Sequence, residues 1–183
     1  MEQGKGMTAQ DEITIGQLDE AEARAAIPAL CSILADAVAS GASVGFMADA
    51  APAEYERFWQ GVAAEVAAGR TVLFAASLGG RIVATTQVQL IGKPNQPHRA
   101  EIAKVLVHSG ARRRGIASRL MQAAEAEALR RGRDLLVLDT DGASAAHALY
   151  TSLGFVEVGT IPRYALMPDG SDCSVTFFYK SLV

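Results

Sequence analysis

Three consecutive arginines followed by a glycine lie near the middle of the sequence, within VLVHSGARRRGIASRL (residues 105–120). The apolar start predicts a strand, and the apolar spacing after the glycine predicts a helix. The first amides of a helix have no partner within it and carry the positive end of its dipole, so a turn that opens a helix can bind anions. Gly115 would allow close backbone approach, and Arg112, Arg113 and Arg114 would screen a diphosphate. The segment is neither a P-loop nor a dinucleotide fingerprint, because GxxxxGK[ST] and GxGxxG are both absent.

Charge is unevenly distributed along the chain. The 17 Lys and Arg against 20 Asp and Glu give a net charge of −3, yet residues 99–133 contain nine basic and three acidic residues, a local charge of +6. A basic segment in an acidic protein indicates a polyanionic ligand, either nucleic acid or a phosphorylated small molecule, with a solvated surface as the alternative. The segment contains no Phe, Tyr or Trp on which bases could stack, so nucleic acid is disfavoured.

Hydrophobic periodicity and turn residues predict the elements that position this turn. Pro28 should kink or break the first helix, and the pair Gly79-Gly80 fits a hairpin turn. The predicted elements are a strand at 11–17, a helix at 19–40, a loop at 41–49, a helix at 52–68, strands at 71–78, 81–90 and 100–108, a helix at 115–131, a strand at 134–140, a helix at 144–153, and strands at 155–160 and 173–182.

This order predicts an α/β (α+β) fold. Strand, helix, strand, helix in the middle of the chain requires a parallel strand pair inside an otherwise antiparallel sheet. The strand at 134–140, DLLVLDT, has a continuous apolar centre, as expected of a strand covered on both faces. At 183 residues the chain should form a single domain over 11–183 after a flexible N-terminus at 1–10.

Composition excludes several other classes. No apolar stretch approaches the roughly 18 residues of a membrane helix, and the first residues lack the apolar core of a signal peptide, which favours a cytoplasmic protein without a membrane partner. Cys31 and Cys173 lack metal-type spacing and are expected to be separate, reduced core residues. His98, His108 and His147 also lack the spacing of metal ligands, so no metal is predicted.

The central segment resembles the GNAT superfamily of N-acetyltransferases. Arg112-Arg113-Arg114-Gly115-Ile116-Ala117 matches the acyl-CoA signature [QR]xxGx[GA] of that superfamily. DLLVLDT, Ala148-Leu149-Tyr150 and Leu153-Gly154-Phe155 follow in the family's order. More narrowly, GASVGFMAD, RAEIAKVLV, LLVLDT and PDG resemble its tabtoxin-resistance branch over roughly residues 35–182. The resemblance implies the GNAT fold, with a central parallel strand pair and flanking helices, and acetyl-CoA as cosubstrate.

The resemblance also implies the residues of the acyl-CoA site. The backbone N–H of Leu106 or Val107 would stabilise the developing oxyanion and pair with the pantetheine arm. Many relatives place Asn near the start of the next helix, where this chain has Ala143 and Ser144, so contacts from that helix are less certain. The implied cofactor-binding residues are Leu106, Val107, Arg112, Arg113, Arg114, Gly115, Ile116, Ala117, Ser144 and Tyr150.

Two carboxylates are candidates for the catalytic base. The acceptor amine must lose a proton, since α-amino groups have pKa values of about 7.7 to 8.0 and lysine-type amines of about 10.4. The resemblance implies acids at Glu101 and Asp139, acting directly or through a water. Ligands of open α/β sheets bind beyond the carboxyl ends of the strands, which favours Asp139 on position alone. A solvated Glu101, a capping Asp139 and an amine that arrives neutral from solvent are the alternatives.

Tyr150 falls at the family's general-acid position, where it would assist departure of the CoA thiolate. With a thiol pKa near 8.5 and a phenol pKa near 10, full proton transfer is uphill by about 1.5 units, roughly 2 kcal/mol. Tyr150 therefore either has a lowered pKa or mainly hydrogen-bonds the sulfur; a packing role is the alternative. His147, on the same helix, is a candidate neighbour of CoA.

The favoured function is acetyl transfer to the amine of a small polar or amino-acid-like molecule, with toxin or antibiotic resistance as a candidate role. A protein N-terminal or lysine acetyltransferase is the enzymatic alternative. A non-catalytic acyl-CoA-binding regulator is the other, and the joint presence of Glu101, Asp139 and Tyr150 argues against it. The expected partners are the small-molecule amine and at most a second copy of the chain, as monomer or homodimer.

Overall fold

A computed structural model describes residues 12–142 and 144–183; the predicted flexible segment 1–10 lies outside this range. Every predicted element is found, with ends shifted by a few residues. The strands are β1 (Ile13–Leu18), β2 (Thr71–Leu78), β3 (Arg81–Leu90), β4 (Arg99–Val107), β5 (Leu135–Asp141), β6 (Val156–Leu166) and β7 (Asp172–Ser181). The helices are α1 (Glu20–Ala39), α2 (Pro52–Ala67), α3 (Ile116–Arg130) and α4 (Ala145–Ser152), with a single 3₁₀ turn at Ser109–Ala111.

The strands form one 7-stranded sheet in the order β1-β2-β3-β4-β5-β7-β6. Within the described part of the chain, β4 and β5 pair in parallel and every other neighbouring pair is antiparallel. The predicted parallel pair is thereby confirmed. Its pairing runs only from Arg99 opposite Leu135 to Glu101 opposite Val137, after which the two strands separate. A gap consequently opens between their carboxyl-terminal halves.

Strand β4 carries a bulge just beyond that point. Gln87 of β3 lies opposite Ala103, whereas Thr85, two residues earlier in β3, lies opposite Leu106, three residues later in β4. The extra residue is accommodated at Lys104, which has a φ of 51°. Bulges bend the strand that contains them, so this one contributes to the divergence of β4 from β5.

Of the predicted kink or break at Pro28, the break is wrong, because α1 continues through this residue. A proline inside a helix removes one hydrogen bond, which costs about 3 kcal/mol. This helix is held on both sides of the proline by buried apolar residues and begins with a capping box formed by Asp19 and Glu22. The buried face consists of Ala23, Ala26, Leu30, Ile33, Leu34, Ala37 and Val38.

The two faces of the sheet are covered differently. Helix α3 packs one face, and α1 with α2 packs the other over β2 and β3. Strand β5 is buried on one face only, at Leu136 and Leu138, so the prediction that it is covered on both faces is wrong. On its other face Leu135 and Val137 are half-buried and Asp139 is exposed, because the gap between β4 and β5 opens there.

Three further predictions concern the hairpin turn, strand β6 and the two cysteines. Gly79 and Gly80 form the expected hairpin turn, with φ values of 56° and 78°. Strand β6 runs to Leu166 rather than to residue 160, and Pro162 is tolerated in it because β6 is an edge strand. Cys31 and Cys173 are free thiols; Cys173 is buried, whereas Cys31 is half-buried and lies outside the core.

No helix in the described ranges is long and apolar enough to cross a membrane.

Candidate active site

The turn before α3 is shaped as an anion site. Gly115 caps the helix with a φ of 72°, and the first intrahelical hydrogen bond runs from the Arg119 N–H to the Gly115 oxygen. The N–H groups of Ile116, Ala117 and Ser118 donate to no acceptor in residues 12–142 and 144–183. The Ile116 side chain is buried in the core, so only its backbone faces the turn. This turn can therefore offer several backbone donors to a phosphate group.

Arg112 is held by the protein itself. Its Nε donates to the Val107 oxygen at 3.1 Å, and Nη2 donates to Ser40 Oγ at 3.2 Å and lies 3.6 Å from an Asp36 oxygen. The same carboxylate accepts from the Ser109 N–H and hydroxyl. Burial alone would raise the pKa of Asp36, but these hydrogen bonds and the nearby His108 and Arg112 hold it below its ordinary value. Arg112 thus braces the turn against α1, whereas Arg113 and Arg114 are exposed beside it.

A cleft of about 560 Å³ lies where β4 and β5 separate. Four parts of the chain form its wall. They are the loop after α1 (residues 42–47), the bulged part of β4 (residues 102–106), the end of β5 with α4 (residues 139–141, Ser144, Ala146 and Tyr150), and the ends of β6 and β7 (residues 164–166 and Val175). The cleft therefore brings the second half of β4 together with two of the three candidate catalytic residues, Asp139 and Tyr150.

The backbone groups of Val107 point away from β3, towards the side of β4 on which β5 lies. The His108 N–H donates to the Val83 oxygen of β3. Because amides alternate along an antiparallel strand, Leu106 also faces β3, opposite Thr85, and Val107 faces away from it. The Arg112 bond to the Val107 oxygen agrees with this orientation. Of the two amides predicted to bind the acyl carbonyl or pantetheine, Val107 is the one whose N–H is directed away from β3.

The two candidate bases differ in their surroundings. Asp139 lines the cleft; burial among the cleft atoms raises its pKa, the Lys104 ammonium opposes that rise, and the Glu101 charge adds to it. Its outer side remains open to solvent. Glu101 does not line the cleft, and its carboxylate accepts from Arg99 Nη1 at 2.7 Å. Asp139 is therefore placed to meet a ligand directly, whereas Glu101 acts on it through charge.

Tyr150 combines a core ring with a hydroxyl at the cleft. The ring packs against Phe155 and Phe178, with centroids 5.8 and 6.0 Å away, and the residue is buried. Its hydroxyl has no hydrogen-bond partner among residues 12–142 and 144–183. Burial, with the charge of Asp139, holds the Tyr150 pKa well above its ordinary value. The direction of this shift is opposite to the predicted lowering of the pKa, so the Tyr150 phenol keeps its proton at neutral pH.

Two further residues at the start of α4 differ in their relation to the cleft. Ser144 lines the cleft, but its hydroxyl donates to the Asp141 oxygen at 2.7 Å and lies 3.1 Å from Thr140 Oγ1. The ring of His147 lies 3.0 Å from a Glu157 oxygen of β6 and is not part of the cleft wall. The position of His147 therefore does not favour the predicted contact with CoA.

Lys104 is the residue that sequence reasoning missed. It lines the cleft, lies at the bulge, and holds its Nζ 5.3 Å from the centre of the Phe58 ring. Burial lowers its pKa and the nearby Asp139 carboxylate opposes that. A signal was present: a lysine amid the small and apolar side chains of IAKVL is unexpected in a central strand.

Two hydrogen bonds join the segment after α1 to the region around the end of β6, and the first of them connects two residues of the cleft wall. Ser43 Oγ donates to the Leu166 oxygen at 2.8 Å, and the Ala48 N–H donates to the Pro168 oxygen at 2.9 Å. We refer to residues 42–47 as the roof loop. The described residues include no group of three or more metal-ligating side chains.

Comparison with known proteins adds to this geometry. The sequence profile described as the Acetyltransferase (GNAT) family matches residues 35–155. An uncharacterized N-acetyltransferase from the hisH-hisA intergenic region of Azospirillum brasilense is 35% identical over 112 residues, which cover 60% of this chain and 65% of that protein. The chain thus spans slightly less than two thirds of that relative.

Solved structures share the fold over nearly the whole chain. yncA from Salmonella typhimurium, solved with its cofactor acetyl-CoA, aligns with a TM-score of 0.77 at 20% identity and covers 94% of this chain and 95% of its own. The ribosomal-protein-alanine N-acetyltransferase of Brucella melitensis aligns with a TM-score of 0.76 at 26% identity, covering 92% and 99%. The predicted sheet with one parallel pair agrees with both.

Proposed function

The chain belongs to the GNAT family of acetyl-CoA-dependent N-acetyltransferases, and from this we propose that it acetylates the amine of a small polar or amino-acid-like molecule. The observation that carries the proposal is the cleft between β4 and β5. It brings the Asp139 carboxylate and Tyr150 together beside the second half of β4, the strand that leads into the turn with unpaired amides before α3. Acetyl-CoA is the acyl donor in this family.

The donor would bind along β4 and into the turn. The free amides of Ile116 and Ala117 and the dipole of α3 would hold the diphosphate, with Arg113 and Arg114 screening its charge. The Val107 N–H would pair with the acyl end. In this assignment Arg112 acts indirectly, because its contacts with Asp36 and Ser40 fix the turn.

Acetyl transfer forms a C–N bond and breaks the C–S bond of the thioester. Asp139 would take the proton that the amine loses, since it is the carboxylate of the two candidates that lines the cleft. Its raised pKa brings it closer to that of the amine, which favours general-base catalysis near neutral pH. Glu101 would tune this pKa through its charge. The Tyr150 hydroxyl would hydrogen-bond the departing thiolate.

The roof loop favours a small acceptor over a protein. Its hydrogen bond to Leu166 joins the roof loop to β6, and both Ser43 and Leu166 line the cleft, which narrows the space for an acceptor. A folded protein would have to displace these contacts to present a lysine or its N-terminus. The resemblance to the tabtoxin-resistance branch supports the narrower form of the proposal, in which the acceptor is an amino-acid-like toxin. The second candidate, N-terminal acetylation of a protein, is favoured by the likeness to the Brucella melitensis enzyme.

An acceptor panel tests the proposal. Purified protein with acetyl-CoA is mixed with free amino acids, amino-acid-like β-lactams, aliphatic diamines, and peptides with free Ala or Ser N-termini or internal lysines. CoA release is followed with a thiol reagent, and Asp139→Asn serves as the matched control for chemistry. We expect turnover of small amines and little with peptides.

Two results would contradict this expectation. Turnover of peptides without turnover of small amines would make the protein acetyltransferase the function. Tight acetyl-CoA binding by calorimetry with no turnover of any acceptor would support the acyl-CoA-binding regulator instead.

A further inference from the structure

Lys104 has no role in the chemistry described above, yet it lines the cleft. It is the only cationic side chain in the cleft wall formed by residues 12–142 and 144–183. It forms no ion pair and no hydrogen bond within those residues. The Lys104 side chain is half-buried and its ammonium lies beside the Phe58 ring without an ion pair, so its charge is available to an anionic group that enters the cleft.

The surroundings of Lys104 fix where its ammonium lies. The bulge gives the residue a φ of 51°, and its Nζ rests 5.3 Å from the centre of the Phe58 ring. A Cβ added at Gly45 of the roof loop would lie 4.0 Å from the same nitrogen. Lys104 therefore reaches from β4 across to the α1–α2 side, under the roof loop and at the acceptor end of the cleft.

Asp139 lies close enough to Lys104 for their charges to interact, but the two side chains form no direct ion pair. An ammonium and a carboxylate separated in this way present opposite charges to a ligand between them. An α-amino acid carries an amine and a carboxylate two bonds apart on one carbon. Its amine would approach Asp139 while its carboxylate met Lys104.

We propose that Lys104 binds the carboxylate of the acceptor and so selects amines that carry a neighbouring carboxylate. Lys104 is then a specificity-determining residue, and the substrate class narrows to amino acids and their analogues. This inference rests on the proposed function, since it concerns the acceptor of the same reaction. Charge-assisted hydrogen bonds of this kind are among the stronger polar contacts, so their loss should be visible in KM.

The test compares matched acceptors. Each amino acid acetylated by the wild-type protein is paired with its primary carboxamide, which keeps the amine and side chain and removes the negative charge. We expect the wild type to prefer the amino acid at least tenfold in kcat/KM. Lys104→Met should abolish that preference by raising KM for the amino acid at least tenfold, while the acetyl-CoA Kd and kcat, the latter compared at a pH above the acidic limb of both proteins, stay within about threefold. Lys93→Met, on the exposed loop before β4, is the matched control.

A binding measurement separates failure of this inference from failure of the proposed function. At saturating CoA, at least one free amino acid should raise the Tm of the wild-type protein and not that of Lys104→Met, and the carboxamides should raise neither. Turnover of small amines with equal kcat/KM for acid and carboxamide would overturn the role of Lys104 and leave the proposed function standing. So would a kcat loss in Lys104→Met that is equal for both acceptors. The role of Lys104 would also be overturned if no amino acid raised the Tm of the wild-type protein and none was acetylated.

Discussion

Replacing Tyr150 by Phe tests whether this residue acts on the leaving group. The substitution removes one hydroxyl and keeps the ring in its contacts with Phe155 and Phe178. The hydroxyl has no hydrogen-bond partner among residues 12–142 and 144–183, so no described hydrogen bond is lost. The Tm of Tyr150→Phe should therefore equal that of the wild type within about two degrees.

The size of the kinetic effect follows from the direction of the Tyr150 pKa. Burial raises this pKa above its ordinary value, so transfer of the proton to a CoA thiolate is uphill by more than the roughly 2 kcal/mol that free phenol and thiol imply. Tyr150 then acts as a hydrogen-bond donor rather than as a full acid. A hydrogen bond to a charged group contributes about 1.5 to 3 kcal/mol, which predicts a kcat loss of about 10-fold to 150-fold.

The assay is single-turnover acetyl transfer at saturating acetyl-CoA and acceptor, where chemistry limits the rate. Because the donor strengthens its bond as the thiolate forms, the loss should appear in the rate constant and not in the acetyl-CoA Kd. A rate within about threefold of wild type would leave Tyr150 a packing residue. An acetyl-CoA Kd that rises as much as the rate falls would show that the hydroxyl binds the ground state.

Further predictions concern the candidate bases Asp139 and Glu101, the turn at Gly115, and the Asp36 carboxylate that holds this turn against α1. Asp139→Asn should lower kcat/KM by about 10²-fold to 10⁴-fold and remove the acidic limb of its pH profile, which in the wild type lies above the ordinary aspartate range because burial raises the Asp139 pKa. Glu101→Gln should retain activity and shift that limb to lower pH, because it removes a charge that raises the Asp139 pKa; loss of the limb in Glu101→Gln alone would exchange the two roles. Gly115→Val should weaken acetyl-CoA binding roughly tenfold or more in calorimetry, since φ is 72° there and a side chain would enter the space beside the free amides; an unchanged Kd would refute the anion site. Asp36→Asn should lower the Tm, and the decrease should be largest at pH values above the unfolded aspartate pKa of about 3.9. The difference in Tm from the wild type should disappear as the pH falls through the lowered pKa of Asp36 in the folded protein; a difference that does not change with pH would contradict this linkage.

The sequence was sufficient to predict the element order and the glycine turn that begins α3. Both depend on local signals: alternation within strands, helical spacing, and a glycine at the start of α3. The hairpin at Gly79-Gly80 is of the same kind, because its two positive φ values follow from residue type. Such features are determined by a few neighbouring residues and can be predicted without knowledge of the rest of the fold.

Long-range contacts account for what the sequence did not predict. Arg112 resembles its two neighbours in sequence, and only the approach of Asp36 from the end of α1 makes it a brace. Helix α1 survives Pro28 because its buried face packs against α2 and the sheet. The bulge at Lys104 depends on the register between β4 and β3, and no residue type in β4 indicates that register. These outcomes are decided by tertiary packing, which overrides local preference.

The roof loop and Tyr150 are held in place by different contacts, so substitutions at the two places should differ in their effect on stability during evolution. Tyr150 is part of the main core, so substitutions that move it would also perturb folding. The roof loop is joined to β6 by a serine side-chain bond, and an exposed hydrogen bond of this type contributes about 0.5 to 1.5 kcal/mol. Variation at Ser43 could therefore reshape acceptor preference at little cost in stability, whereas Gly45 has a φ of 90° that a side chain would strain. Selection for a new substrate could act on the roof while the machinery of acetyl transfer stays intact.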